Sequence, residues 1–276
     1  MSNRILVFLI FLVCGLGLPS LSGLLIFSAL PIQLTIPYTL VLAVIFLSIT
    51  IFLRSQKSIR CYWQVFFAFF IASLALLFDF LINMPSNTMT GLALDMLVST
   101  LIIVSTIILL TIVSGNSLGS IYLKKGNLKL GLIFGLAGFF FFALTSIPAA
   151  EYLFQGQTLS VQRVIAWLPW IIPIVLLNGL REEILYRGLF LGRFELKLGS
   201  KTSNLLQAII FSLSHSVAGV GLNAYTPYIW GLVVFTFSLG LAWGYIMQRT
   251  DSMLGSVLFH AGTDIPVFIG IFSNNF

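Results

Sequence analysis

The chain has 276 residues, of which 59% are hydrophobic and 8% charged, and its mean hydropathy is +1.08. A soluble globular domain carries about 25% charged residues, so this composition excludes an ordinary soluble protein. The net charge of +6 comes from basic residues spread through short segments rather than gathered in one patch, which argues against nucleic acid as a partner. We expect a single membrane domain over residues 1–276, with the lipid bilayer as its surroundings.

A transmembrane helix needs about 20 predominantly apolar residues, and the sequence offers nine candidate runs. It therefore predicts an all-α polytopic bundle of about eight or nine spans. The predicted spans are 5–30, 36–53, 62–83, 91–113, 130–148, 164–190, 203–218, 228–247 and 253–272. The first run is overlong and contains Pro19, which predicts a kink or two shorter pieces. The run 203–218 is short for a span.

The basic residues lie in every second loop between these nine predicted spans, and therefore on one side of the membrane. They are Arg4, Arg54, Lys57, Arg60, Lys124, Lys125, Lys129, Arg193, Lys197, Lys201 and Arg249. The opposite loops hold almost no Lys or Arg, with Arg163 as the exception. By the positive-inside rule, we expect a cytoplasmic N-terminus and an external C-terminus.

Two pairs of residues lie outside this charge pattern. Asp79 and Asp95 lie near the ends of their spans beside the uncharged segment 84–90, and we expect both to reach water at the membrane interface. Cys14 and Cys61 are poorly placed to meet, so we expect free thiols.

Three apolar runs in the second half of the chain contain ionisable residues in regular patterns. The patterns are Glu182-Glu183-x-x-x-Arg187, Phe211-x-x-x-His215 and His260-x-x-x-Asp264, and they hold the two histidines of the chain. A charged side chain near the bilayer centre costs roughly 2.5–3.5 kcal/mol even on lenient scales. These residues therefore indicate a functional site.

Helix geometry predicts how these side chains are arranged. Adjacent glutamates point about 100° apart, so Glu182 and Glu183 face different surroundings. Glu183 and Arg187 are four residues apart and should form an ion pair. Asn178 lies one turn before Glu182, on the same face of the helix. His260 and Asp264 likewise share a face, and Phe211 can pack against His215.

The depth of each group in the membrane supports a common site. At about 1.5 Å per residue, Glu182 lies ~16 Å from Arg193, and His215 lies ~18 Å from residue 203. His260 and Asp264 lie ~10 and ~16 Å from residue 253 by the same rise. We expect three helices to bring these groups together in an intramembrane cavity, with Arg181 as a counter-charge for the glutamates.

Two carboxylates and two imidazoles around a wet cavity are suited to activating water, with a carboxylate as general base. The same four side chains, Glu182, His215, His260 and Asp264, are also possible ligands of a divalent metal such as zinc. The residues themselves leave both alternatives open.

The motifs resemble those of the CPBP family, the type II CAAX-prenyl-protease-like and bacteriocin-processing intramembrane proteases, also called ABI proteins. Glu182-Glu183-x-x-x-Arg187 is similar to the family's Glu-Glu-x-x-x-Arg motif. Phe211-x-x-x-His215 and His260-x-x-x-Asp264 are similar to its Phe-x-x-x-His and His-x-x-x-Asn/Asp motifs. The resemblance covers about residues 130–272 as a catalytic core, and residues 1–129 form accessory spans without a diagnostic motif.

The resemblance implies an all-helical intramembrane peptidase with Glu182 as the water-activating base, assisted by His215. It implies that Glu183 and Arg187 support that base, and that His260 and residue 264 polarise the scissile carbonyl. Asp264 departs from the Asn variant of the motif, and an ionised Asp fits better as an orienter of His260 or as a metal ligand. The family has been described both as metal-dependent and as glutamate-type; we expect the glutamate type, with no cofactor required.

We therefore predict an endopeptidase of a prokaryotic plasma membrane that cuts a membrane-embedded or membrane-proximal peptide or protein substrate. The sequence does not indicate the residues that bind this substrate. One alternative is a non-catalytic scaffold or immunity protein of the same family, for which Glu182 would be dispensable. Another is a proton-coupled transporter, which would more typically show inverted repeats, and none is visible here.

Overall fold

The computed structural model describes residues 2–18, 32–82, 84–153, 158–215 and 226–276. Over these residues all regular structure is helical, as predicted. The first four α-helices are α1 Ser2–Leu16, α2 Ile32–Ser55, α3 Trp63–Leu81 and α4 Met89–Val113. The remaining α-helices are α5 Leu128–Leu144, α6 Ser146–Leu153, α7 Val161–Glu182, α8 Gly192–Leu198, α9 Ser200–Ser214, α10 Thr226–Thr250 and α11 Leu254–Asn275.

Side-chain caps fix where three of these helices begin. Thr88 Oγ1 accepts a hydrogen bond from the backbone N–H of Gly91 at the start of α4. Asn127 Oδ1 and Ser160 Oγ do the same at the starts of α5 and α7. Each cap satisfies a backbone donor that the first helical turn leaves free.

The predicted count of eight or nine spans is not confirmed. Within the described residues, six helices are long and apolar enough to cross a bilayer, or seven if one bent pair counts as a span. That pair is α5 and α6, bent by 63° within the run 130–148. Helix α9 has 15 residues, or about 23 Å, which is less than the ~30 Å of the hydrocarbon core.

The first predicted span is only partly described. Its helix α1 has 15 residues, and residues 19–31, including Pro19, lie outside the described part of the chain. The predicted kink at Pro19 and the end of the seventh predicted span at 216–218 therefore lie outside the described residues.

The predicted span 164–190 is part of a longer continuous helical segment from Val161 to Leu198. Between α7 and α8, residues Glu183–Leu191 form a π-helix, which the sequence pattern did not predict. All nine residues of this segment are buried. π-Helical turns insert extra backbone into a helix and occur frequently at functional sites.

Two glycines allow α11 to pack closely against its neighbours. A Cβ on Gly135 of α5 would lie 3.0 Å from the carbonyl oxygen of Gly255, and one on Gly179 of α7 would lie 3.0 Å from that of Val257. Small residues at such crossings let helix backbones approach in lipid. These contacts bring α11 beside the residues at the end of α7.

The N-terminal helices share an apolar core with the π-helix and α8. Phe11 of α1 stacks on Phe194 at 5.4 Å between ring centroids, and Phe69 of α3 lies 5.4 Å from Phe190. Both pairs belong to one buried cluster. The helices before residue 129 therefore pack directly against the segment that holds Glu183 and Arg187.

Polar contacts tie together the helix ends where the basic residues lie, which we call the basic end (residues 54–63, 114–127, 192–200 and 248–253). Tyr122 donates to Glu195 Oε2 at 2.6 Å, and Gln248 Nε2 donates to Glu195 Oε1 at 2.6 Å. Lys124 pairs with Asp251. These contacts bring the basic segments around Lys124, Arg193 and Arg249 together at one end of the bundle, in agreement with that part of the charge pattern.

Burial and the contact with Glu195 raise the pKa of the Tyr122 phenol above its ordinary value. The phenol therefore stays protonated and remains the hydrogen-bond donor in this contact.

Candidate active site

The two adjacent glutamates lie at the junction of α7 and the π-helix, and they face different surroundings, as predicted. The side chain of Glu183 is fully buried, whereas that of Glu182 is 17% exposed. Part of the Glu182 side chain is therefore accessible, although its Oε2 is not, whereas Glu183 has no accessible surface.

Glu183 is the centre of a buried charged group. Its Oε1 accepts a hydrogen bond from Arg187 at 2.9 Å and contacts His260 Nδ1 at 2.8 Å. The predicted Glu183–Arg187 pair is present, and neither side chain is exposed. The Arg187 guanidinium also lies 4.1 Å over the ring of Phe211 and 5.0 Å over that of Trp243, which adds cation–π stabilisation.

His215 lies at the C-terminal end of α9 and packs on Phe211, with 4.2 Å between ring centroids. Its Nδ1 is 2.8 Å from the backbone carbonyl oxygen of Phe211. Because a carbonyl only accepts, Nδ1 must carry the hydrogen, and the neutral ring then presents an unprotonated Nε2.

His260 of α11 is held from two directions. Its Nδ1 meets the Glu183 carboxylate, and its ring stacks on Trp243 with 4.0 Å between centroids and 10° between planes. Ser256 in turn donates to the backbone carbonyl of Trp243 at 2.7 Å. The His260 ring is thus fixed with Nε2 directed toward Glu182 and Asp264.

The Glu182 carboxylate lies between the two imidazole rings. Its Oε2 lies 3.6 Å from Nε2 of His215 and 3.6 Å from Nε2 of His260. This oxygen is buried and has no hydrogen-bond partner among the described residues. Two ring nitrogens from separate helices therefore converge on one carboxylate oxygen, Glu182 Oε2, each at 3.6 Å, as the depth argument predicted.

Asp264 completes the group on α11. Its Oδ1 lies 3.6 Å from His260 Nε2, and its Oδ2 accepts a hydrogen bond from Asn178 at 2.9 Å. Asp264 thus contacts the ring nitrogen that faces the site, while Glu183 holds the other one. The structure brings together all six residues that the sequence indicated.

Arg181 lies beside this group and links it to α4. Its two terminal nitrogens donate to Ser99 Oγ at 2.9 Å and to Asn178 Oδ1 at 2.5 Å. It lies 3.9 Å from Glu182 Oε1, in agreement with the predicted counter-charge.

Glu182, His215, His260 and Asp264 are the side chains that the sequence offered as possible metal ligands. Over the described part of the chain, no group of three or more His, Cys, Asp or Glu side chains is arranged to hold a metal ion. These four side chains, as placed here, therefore do not have the geometry of a metal centre.

Three features of the site were not predicted from the sequence. Trp243 under His260, Ser99 beside Arg181 and the π-helical backbone all contribute to the arrangement. A tryptophan and a serine inside apolar spans are ordinary membrane-helix residues, so neither could be distinguished from its neighbours by pattern.

The fold and the site define a class of protein: an integral, multi-pass helical membrane protein with a cluster of acids and histidines between its helices. Residues 164–266 match the family described as type II CAAX prenyl endopeptidase Rce1-like, which confirms the predicted resemblance. This is a protease family, and the match supports peptidase activity. Searches of curated proteins and of solved structures found no match.

The match lies within the predicted core 130–272 and contains all three motifs. It refers to the CAAX type of peptidase and gives no support to the bacteriocin-related part of the prediction.

Proposed function

We propose that this protein is an intramembrane endopeptidase in which Glu182 activates water for attack on a peptide bond of a membrane-embedded or membrane-proximal substrate. One observation carries the proposal: the partner-free Oε2 of Glu182 lies 3.6 Å from Nε2 of both histidines. A general base needs an available lone pair beside the reacting atoms, and this oxygen has one.

The first step places a water molecule between Glu182 and the scissile carbonyl. Glu182 accepts a proton from the water while the water oxygen bonds to the carbonyl carbon, which produces a tetrahedral oxyanion. The unprotonated Nε2 of His215 accepts a hydrogen bond from the same water and orients it.

The oxyanion needs a hydrogen-bond donor directed at the former carbonyl oxygen. His260 Nε2 supplies one when it carries a proton, because Glu183 on Nδ1 and Asp264 beside Nε2 balance the charge of the imidazolium. In the second step the C–N bond breaks, and the proton held by Glu182 passes to the leaving amine. Water is consumed, and the products are a carboxylic acid and an amine, which become a carboxylate and an ammonium ion when the proton of the acid passes to the amine.

The proposed orientation follows from the basic end. Lys124, Arg193 and Arg249 belong to segments that meet there, so the positive-inside rule places this end in the cytoplasm. A prokaryotic plasma membrane remains part of the proposal.

The proposal is tested with the purified full chain in lipid nanodiscs and a library of fluorogenic peptides. We expect Glu182→Ala to lower kcat/KM by about 10³-fold and His260→Ala by at least about 10²-fold, since both act on the reacting atoms. Glu151→Gln is the matched control, because Glu151 lies outside the site and accepts from the backbone of Leu159.

Cleavage that survives Glu182→Ala would overturn the proposal and favour a non-catalytic scaffold. A chelator is added in a parallel series. We expect cleavage to continue, and complete loss that is restored by zinc would instead assign Glu182, His215, His260 and Asp264 as ligands.

A further inference from the structure

Residues of the N-terminal helices lie in contact with the site through Arg181, although residues 1–129 contain no motif of their own. We propose that Ser99 and Asp79 are positioning residues for the reaction: they hold the Arg181 guanidinium, which in turn positions Glu182 and the Asn178–Asp264 pair. This inference rests on the proposed function.

The first link is the contact between α4 and α7. Ser99 is buried, and its Oγ accepts a hydrogen bond from Arg181 Nη1 at 2.9 Å. Its neighbour Thr100 donates to the backbone carbonyl of Leu177 at 3.2 Å. These two contacts fix α4 against the last turns of α7, where Arg181 begins the charged motif.

Asp79 supplies the charge for this link. Its carboxylate on α3 is near enough to Ser99 and Arg181 to act on both electrostatically. Since Ser99 Oγ already accepts from Arg181, its own hydrogen is free to be donated to Asp79. An acid of the N-terminal helices therefore adds to the negative charge that Glu182 provides beside the Arg181 guanidinium.

The second link runs from Arg181 into the site. Arg181 Nη2 donates to Asn178 Oδ1 at 2.5 Å and lies 3.9 Å from Glu182 Oε1. With its oxygen held by Arg181, the Asn178 amide can only turn its nitrogen toward Asp264 Oδ2, at 2.9 Å. The Arg181 guanidinium thus lies beside Glu182 directly and positions the Asn178 amide that donates to Asp264.

The shape of arginine makes this arrangement specific. The guanidinium is a rigid planar fork, so pinning one nitrogen on Ser99 fixes the direction of the other toward Asn178. A lysine retains the charge but has a single nitrogen and cannot reproduce both directions. The chain from Asp79 and Ser99 to Asp264 therefore depends on geometry as well as on charge.

The test uses nanodisc-embedded full chain and a peptide that the wild type cleaves. We expect Ser99→Ala and Asp79→Asn each to lower kcat roughly 10-fold with KM unchanged, because a hydrogen bond or charge that orients groups acting in the transition state is lost. We expect Arg181→Gln to lower kcat roughly 100-fold, with Arg181→Lys in between.

The double variant Ser99→Ala/Arg181→Gln separates positioning from a general effect on folding. If Ser99 acts through Arg181, the double variant will match Arg181→Gln, whereas independent effects would multiply. Matched controls are Ser105→Ala on the exposed side of α4 and Arg163→Gln at the start of α7, and both should retain wild-type kcat.

The proposal is overturned if Ser99→Ala and Asp79→Asn retain kcat, if their effects fall on KM, or if the double variant shows multiplied losses. Should Arg181→Gln fail to fold, Ser99→Ala decides alone, since it removes one hydroxyl from a packed helix. Failure of the proposed function has a different signature, because cleavage would then survive Glu182→Ala.

Discussion

Two polar networks connect the helices, one at the basic end and one at the site, and they differ in how completely their atoms are paired. At the basic end, both carboxylate oxygens of Glu195 accept hydrogen bonds, from Tyr122 and Gln248. At the site, Glu182 Oε2 has no such partner among the described residues, although two imidazoles surround it.

The difference indicates what each network contributes. Paired polar groups between helices contribute to stability, typically about 1 kcal/mol for each hydrogen bond. A buried carboxylate oxygen without a partner costs stability, and such costs are common at sites where activity requires them. We therefore expect the basic end to hold the helices together and the site to carry the chemistry.

The largest expected effect distinguishes Glu182 of the site from Glu195 of the basic end. We expect Glu182→Gln to lower kcat/KM by about 10³-fold with little change in the unfolding temperature, because the amide cannot accept the proton. Glu195→Gln should show the reverse, with activity retained and roughly 1–3 kcal/mol of stability lost. Peptide cleavage and thermal unfolding of both variants in the same detergent check this. Equal loss of activity in the two variants would remove the distinction between the networks.

The next effect concerns the fully buried part of the site. Arg187→Met leaves Glu183 buried without its cation, so we expect a loss of about 3–5 kcal/mol in the free energy of unfolding. Glu183→Gln/Arg187→Met removes both charges and should recover part of this loss. Chemical denaturation in mixed micelles measures both variants, and an unaltered stability of Arg187→Met would show that the pair contributes nothing.

A smaller effect is expected from the aromatic support of His260. Trp243→Ala removes the ring that stacks on the imidazole, and we expect kcat to fall roughly 10-fold, since aromatic pairs contribute about 0.5–1.5 kcal/mol and also fix orientation. Trp243→Phe keeps a ring at this position and should retain most of the activity. Steady-state kinetics decide, and a Phe variant as impaired as the Ala variant would contradict a stacking role.

The smallest effect is expected at the basic end. Tyr122→Phe should lower stability by about 1 kcal/mol without affecting cleavage, because it removes the donor to Glu195. Folding raises the pKa of this phenol above its ordinary value of about 10, so its contribution is complete below pH ~10 and decreases as the pH rises further. Unfolding temperatures of both proteins from pH 7 to about 10.5 should therefore differ most at neutral pH. A difference that grows with pH would contradict this assignment.

The site was largely predictable because its parts follow from helix periodicity. The spacing of Glu183 and Arg187 predicted their ion pair, and residue counts from the loops placed Glu182, His215 and His260 at a similar depth. These arguments need only the rise and the turn of a helix. The contacts made by neighbouring residues on different helices, such as Trp243 with His260, depend on packing that a single sequence does not reveal.

The number of spans was less predictable. Apolar runs do not show where a helix bends, as between α5 and α6, or where it ends early, as α9 does at Ser214. The sequence also did not reveal which residue contacts each histidine ring nitrogen. The motif spacing places Asp264 beside His260, yet Glu183 from another helix holds its Nδ1.

The π-helix of Glu183–Leu191 has a consequence for insertions and deletions in this segment. One residue in a helix corresponds to about 100° of rotation. Because the wider π turns hold extra backbone, deleting a single amino acid between Arg187 and Leu191 would let this segment relax toward ordinary α-helix, and the side chains within it would face new directions. The length of this segment is therefore as important as its composition, since the contacts of Arg187 with Phe211 and Trp243 depend on it.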